Sequence, residues 1–256
     1  MDKLSLIKVG GKIVEETDSL LRLLEDFAAI EGYKVLVHGG GRSATQLSER
    51  LGIESRMVNG RRITDDATLQ VATMVYGGLV NKNIVAGLQA LDINALGLTG
   101  ADMNIIRSSK RPVKEIDYGH VGDVEEVDAE SLSWLIRRHI VPVLAPLTHD
   151  KQGHLLNTNA DTIAGEVAKA LAHYFDVELV FCFEKKGVLR DEADEESVIP
   201  ALDRQTFARY VEQGIIQGGM IPKLENAFEA IEAGVKRVVI TKASALLAET
   251  GTYIQP

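Results

Sequence analysis

Leu4-Ser5-Leu6-Ile7-Lys8-Val9-Gly10-Gly11 is a short apolar run that stops at a glycine pair. Such a run reads as a buried strand ending in a turn. Residues 18–30 follow with Leu20, Leu21, Leu23, Leu24 and Phe27 at helical spacing. Lys34-Val35-Leu36-Val37-His38 is a second strand, closed by Gly39-Gly40-Gly41, and residues 43–51 read as the next helix. The same alternation continues, with strands at 94–98, 140–145, 178–183 and 237–241 and helices at 67–91, 129–138, 160–174, 203–213 and 221–233. Two interruptions stand out. Arg56-Met57-Val58 and Arg62-Ile63-Thr64 flank Asn59-Gly60, a strong hairpin dipeptide, and residues 103–127 look like shorter, more polar strands and turns. Strands alternating with helices predict an α/β fold, a mainly parallel open sheet covered by helices on both faces. Turn residues cluster between Pro146 and Asn157, the best place for a lobe boundary.

The chain has 256 residues, the size of one large domain or two fused lobes. Apolar residues at 45% and charged residues at 25% exclude a disordered chain or a disulfide scaffold. The 28 basic side chains against 37 acidic ones give a net charge of -9, which argues against duplex nucleic acid as the main partner. A single cysteine, Cys182, cannot form an internal disulfide. No apolar run reaches the roughly 18 residues of a membrane span, and residues 1–6 carry no signal-peptide pattern. The expectation is a soluble, cytoplasmic protein without a membrane partner.

The glycines concentrate at strand ends, where the missing Cβ lets backbone N–H groups approach an anion. There is no G-x-x-x-x-G-K-[ST] phosphate loop. Gly39-Gly40-Gly41-Arg42-Ser43-Ala44 fits G-x-G-x-x-A, but it follows the second strand rather than the first and lacks a clear acidic ribose partner. The six histidines are scattered, His38 alone lying beside a glycine turn, so no metal site is expected. Lys8 interrupts an apolar strand. It reads either as an edge-strand lysine facing solvent or as an ammonium placed over the ligand-binding end of the sheet. Lys223 follows Gly218-Gly219-Met220-Ile221-Pro222 near a helix start, where the helix dipole disfavours a cation. In Asn157-Thr158-Asn159-Ala160-Asp161, Asn159 suits an N-cap and Asp161 the first helical turn, both structural roles.

In their order and spacing, Lys8-Val9-Gly10-Gly11-Lys12, Val37-His38-Gly39-Gly40-Gly41, Asn59-Gly60-Arg61-Arg62-Ile63-Thr64, Asn157-Thr158-Asn159-Ala160-Asp161 and Gly218-Gly219-Met220-Ile221-Pro222-Lys223 resemble the amino acid kinase family. The string Asn-Gly-x-Arg-x-Thr points to its acylglutamate branch. The resemblance implies transfer of the γ-phosphoryl of ATP to the side-chain carboxylate of an N-acylated glutamate, acetyl by default, in arginine biosynthesis. It implies Lys8 and Lys223 on the transferring phosphoryl and Asp161 holding both lysines. Substrate falls to Gly40, Gly41, Arg62 and Asn157. The nucleotide falls to Gly10, Gly11, Glu184, Lys185, Lys186, Gly187, Ile215, Ile216 and Gln217, with Mg²⁺ arriving on ATP. A single domain over 1–256 would divide into an N-lobe of about 1–150 for acylglutamate binding and dimerisation and a C-lobe of about 151–256 for ATP.

The chemistry agrees with this. Phosphoryl transfer to a carboxylate needs no general base, and its main obstacle is repulsion between anions. Lysines, backbone amides and Mg²⁺ answer that obstacle, and a planar guanidinium reads an α-carboxylate. At the adenine side the family's Asp followed by a small residue before Gly is replaced by Phe183-Glu184-Lys185-Lys186-Gly187. There Lys185-Lys186 reads equally as a solvated turn. Aminoadipate-type, aspartate and carbamate kinases, a non-catalytic ligand sensor and a nucleotide-binding oxidoreductase are the competing readings. A homodimer built on the 67–91 helix is the expected assembly, and the Asn59-Gly60 hairpin is a candidate lid. Arginine-inhibited members of the family carry an extra helix before the first strand. Only Met1-Asp2-Lys3 stand there, so neither a hexameric ring nor arginine inhibition is expected.

Overall fold

The computed structural model describes residues 1–58, 61–248 and 250–256. The strands run in chain order β1 (Lys3–Val9), β2 (Tyr33–His38), β3 (Met57–Val58), β4 (Arg61–Arg62), β5 (Ala95–Leu98), β6 (Ile106–Lys110), β7 (Gly122–Val127), β8 (Val141–Leu144), β9 (Leu147–His149), β10 (Leu155–Asn157), β11 (Asp176–Phe183), β12 (Ala201–Leu202), β13 (Arg237–Lys242) and β14 (Thr252–Ile254). The α-helices are α1 (Gly11–Glu15), α2 (Thr17–Ala29), α3 (Gly41–Arg50), α4 (Asp66–Ala72), α5 (Asn81–Gln89), α6 (Ala129–Arg137), α7 (Ala160–Leu171), α8 (Arg204–Glu212) and α9 (Met220–Glu232).

Among the described residues the main sheet has the order β12-β14-β13-β11-β1-β2-β8-β5. The pairings from β13 through β5 are all parallel, and β14 runs antiparallel to β13. This is the mainly parallel sheet that the alternation of strands and helices predicts. β1 lies inside it, with Lys8 opposite Val37 of β2 on one side and Phe181 of β11 on the other. A solvent-facing edge lysine is therefore ruled out.

The period of two along each strand sorts the core into two layers. Leu4 and Leu6 of β1, Val35 and Val37 of β2, and Leu179 and Phe181 of β11 pack with α6, α7, α8 and α9. Ile7, Val9, Leu36, Val180 and Cys182 pack on the opposite face with α1 to α5. Lys8 shares the face of Leu6, and Phe183 that of Phe181. The strand period thus brings Lys8 and Phe183 to the side where α7 and α9 begin.

Three features differ from the sequence reading. The turn-rich stretch from Pro146 to Asn157 contains β9 and β10, an antiparallel pair in a second sheet of order β10-β9-β6-β7. The long helix over 66–89 changes hydrogen-bond register, and Thr73–Val80 is a π-helical segment between α4 and α5. Gly10 opens directly into the five-residue helix α1, too short for any periodicity to announce. The hairpin strands pair as predicted, Met57 with Arg62 and Val58 with Arg61. The Asn59-Gly60 dipeptide and its reading as a lid lie outside the described residues. No described helix is long and apolar enough to cross a membrane.

Candidate active site

Lys8 is the penultimate residue of β1, at the C-terminal edge of the sheet, and is 6% exposed. Its Nζ stands 2.6 Å from Asp161 Oδ1, with both side chains under one tenth exposed. Asp161 sits in the first turn of α7, where the helix dipole favours a carboxylate. That turn is fixed by Asn159, whose Oδ1 accepts from the N–H groups of Asp161 and Thr162 at 2.8 and 3.1 Å. The predicted N-cap and the predicted first-turn carboxylate are both present, so one short string places the counter-charge for Lys8.

Lys223 arrives from the opposite direction, in the first turn of α9. Its Nζ lies 4.0 Å from the centroid of the Phe183 ring, and Lys8 Nζ lies 5.4 Å from the same centroid. The ring quadrupole attracts both cations. Burial pushes the Lys223 pKa below the usual lysine value; the Lys8 charge acts in the same direction, and Asp161 and Glu184 oppose it. Among the described residues Lys223 has no ion pair or hydrogen bond of its own. Among the described residues Asp161 therefore pairs with Lys8 and not with both lysines, and two ammoniums near one buried carboxylate leave a positive excess that suits an anionic guest.

The glycine turns after β1 and β2 touch through their backbones. A Cβ on Gly11 would come within 3.2 Å of both the Gly40 and Gly41 nitrogens, and one on Gly39 within 3.0 Å of the Gly11 nitrogen. Gly40 is pressed against Tyr76 and Val80 of the π-helical segment, with a Cβ there 3.0 Å from the Tyr76 ring. Gly41 begins α3, so its N–H lies among the unpaired donors of a helix N-terminus.

Beside these amides opens a pocket of about 180 Å³, lined by Gly39 to Gly41, Arg61, Arg62, Tyr76 and Asn157 among others. Arg62 is held rigidly. Its Nη2 donates to Gly41 O and Thr45 Oγ1, both at 2.8 Å, and its Nη1 donates to Ser55 Oγ. Asn157 donates from Nδ2 to Thr64 Oγ1 at 3.0 Å. Burial raises the Tyr76 pKa, opposed by the Arg62 charge and a hydrogen bond from it. Burial and the Arg111 charge lower that of Arg61.

The structure therefore groups Lys8, Asp161 and Lys223, and it groups Gly40, Gly41, Arg62 and Asn157. The nucleotide set is less unified. Gly10 donates its N–H to Cys182 O, and Glu184 pairs with Lys12 at 2.7 Å. Lys185 donates to the Glu192 carbonyl at 3.0 Å, and Lys186 pairs with Glu196, so the acidic 191–196 loop engages both. Gly187 is required by packing, since a Cβ would stand 2.8 Å from Thr252 Oγ1. Ile216 is buried, Ile215 packs on the same core cluster, and Gln217 donates to Gly214 O. Sequence reading missed Phe183, Tyr76, Thr45 and Ser55 as parts of the site. The alternation along β11 could have put Phe183 on the Lys8 face, but only once the strand register was known.

A basic, glycine-lined pocket at the C-terminal edge of a parallel sheet is a place for anionic ligands. The chain belongs to the amino acid kinase family, whose sequence model matches residues 3–242. The acetylglutamate kinase of Parabacteroides distasonis is 75% identical over 254 residues, 99% of this chain and 100% of its own length. That of Bacteroides fragilis is 72% identical over 254 residues, 99% and 97% of the two chains. Among solved structures, smu.665 from Streptococcus mutans superposes with a TM-score of 0.83 at 28% identity, covering 98% of each chain.

Proposed function

We propose that the protein transfers the γ-phosphoryl of ATP to the side-chain carboxylate of N-acetyl-L-glutamate, yielding an acyl phosphate for arginine biosynthesis. The observation that carries this reading is the Lys8–Asp161 pair meeting Lys223 over Phe183, beside a pocket holding a fixed guanidinium. The substrate carboxylate is already ionised, so the protein has to position two anions and neutralise the charge between them. Lys8 and Lys223 supply that charge, and Asp161 holds Lys8 in place. The amides of Gly11, Gly40 and Gly41 lie close together, and they serve the transferring phosphoryl group in this reading. Arg62 reads the α-carboxylate and Asn157 a polar group of the substrate.

ATP enters as its Mg²⁺ complex. Among the described residues no group of three His, Cys, Asp or Glu side chains converges on one point. Residues of about 1–150 serve the acylglutamate and dimer contact, and about 151–256 serve ATP through the stretches 184–187 and 215–217, with Gly10 and Gly11 of the N-lobe adding to the nucleotide site. Met74 and Leu79 are exposed on the long helix and Leu96 on the edge strand β5, which favours a homodimer through that face. A sedimentation profile of monomer at every concentration would reject the dimer. A single buried thiol, pushed up to about 12 by burial, suits the reducing cytoplasm.

The deciding assay is ADP release with ATP and Mg²⁺ against a panel of N-acylglutamates, glutamate, aspartate and carbamate. Turnover confined to N-acylglutamate is expected; turnover of carbamate or aspartate instead would reject the reading. Arg62→Ala is expected to raise KM for the acylglutamate about 10- to 100-fold, the loss of one or two charge-assisted hydrogen bonds. ATP affinity should stay nearly constant. Equal weakening of both substrates would place Arg62 at the phosphates instead.

A further inference from the structure

His38 closes β2, is fully buried, and touches neither the cation cluster nor the substrate pocket. Its Nδ1 stands 2.7 Å from the carbonyl oxygen of Gly39, and its Nε2 stands 3.1 Å from Asn81 Nδ2. Asn81 is buried too, at the junction of the π-helical segment and α5. Its Nδ2 lies 3.0 Å from Val143 O, and its Oδ1 accepts from Lys82 Nζ at 3.0 Å.

These contacts fix every proton in the chain. The nitrogen of the Asn81 amide must face Val143 O, because an oxygen there would meet another oxygen and leave the ammonium of Lys82 facing an NH₂ group. Asn81 Nδ2 is then a donor toward His38, so Nε2 of His38 must be the acceptor and carries no proton. The ring proton sits on Nδ1 and is donated to Gly39 O. A second ring proton would put N–H against NH₂. Burial accordingly lowers the His38 pKa to about 4.

The Gly39 carbonyl belongs to the same planar peptide as the Gly40 N–H, and in a trans peptide the two point in opposite directions. Anchoring one aims the other. Glycine on both sides of this peptide offers little steric resistance to a flip, so the turn needs an external hold.

We propose that His38 is a positioning residue: through the Gly39 carbonyl it holds the Gly39–Gly40 peptide in the orientation that turns the Gly40 N–H toward the transferring group. The inference rests on the proposed role of the Gly40 and Gly41 amides. Val143 of β8 and Asn81 of α5 complete the anchor, so the long helix and the adjacent strand both set the aim of that amide.

The test compares two amide substitutions with opposite geometry. In His38→Asn the side-chain amide falls where Nδ1 was and can still donate to Gly39 O. In His38→Gln it falls near the Nε2 position and can satisfy only Asn81. Glutamine is closer to histidine in size, so a purely packing role favours Gln. We expect the reverse. His38→Asn should keep kcat within about threefold, and His38→Gln should lower kcat about 10- to 100-fold, below the cost of deleting a transition-state donor outright. The KM values should move little. Equal kcat for the two variants, or Gln above Asn, overturns the proposal.

A second measurement needs no variant. The ¹⁵N shifts of His38 in the wild-type protein should show Nδ1 protonated and Nε2 bare at neutral pH, and a proton on Nε2 overturns the proposal. This measurement also separates the two levels of inference. A wild-type protein that turns over no N-acylglutamate refutes the proposed function, whereas the ring tautomer and the Asn-against-Gln order bear on His38 alone.

Discussion

Replacing Lys8 or Lys223 with alanine is expected to lower kcat by about 10²–10³-fold while changing the KM values far less. That is the range for removing one preorganised stabiliser of transition-state charge. Each ammonium lies within 6 Å of the Phe183 centroid, so each acts in a site shielded by that ring and by the sheet edge. Lys8 has a buried counter-charge at 2.6 Å and is already held in place. Lys223 has no ion pair among the described residues, and burial lowers its pKa, so an anionic guest supplies the interaction it lacks. Arginine should restore only part of the rate at either position, because a guanidinium is larger and planar. Steady-state kinetics on Lys223→Ala decide the matter: a near-normal kcat would remove Lys223 from the reaction.

Asp161→Ala is expected to be the most damaging change to the folded state. It strands the Lys8 ammonium in a place 6% exposed, and breaking a buried ion pair costs about 3–5 kcal/mol. Urea unfolding should show that loss, and catalysis should fall with it as Lys8 leaves its place. A double replacement separates the two effects. Lys8→Met with Asp161→Leu removes both charges and keeps the volume, so stability should return to near the wild-type value. Activity should not return. A double variant as unstable as Asp161→Ala would show that the damage comes from packing and not from an orphaned charge.

Much of this was legible in the sequence because the relevant signals are local. β1, β2, β11 and β13 are apolar runs, and the first two stop at glycine, so their existence could be read. Asn159 and Asp161 obey helix-terminus rules that operate over three residues. What stayed hidden depends on hydrogen-bond register or on distant chain. The π-helical segment at Thr73–Val80 contains the weak helix formers Gly77 and Gly78, but nothing in its residues announces the changed bonding pattern that sets Tyr76 and Val80 against Gly40. β9 and β10 have three residues each and read as turns. Thr45 and Ser55 grip Arg62 only after α3 and the hairpin have come together. The destination of Lys186 was decided by Glu196, ten residues on, in a loop with no periodicity to predict it.

The central place of β1 bears on how the molecule is made. β1 is translated before its partners, and β2 can pair with one of its edges as soon as residues 33–38 emerge. Its other edge is reserved for β11, which begins at Asp176. Until residues 176–183 emerge the nascent chain therefore carries an apolar strand with one row of backbone groups unsatisfied, the kind of edge that recruits wrong partners. Because closing so long a loop precedes the reward of pairing, docking of β11 belongs late in folding. The strand that delivers Lys8 is then sealed in place only when the stretch ending at Phe183 has left the ribosome, and the cation cluster forms together with the finished sheet.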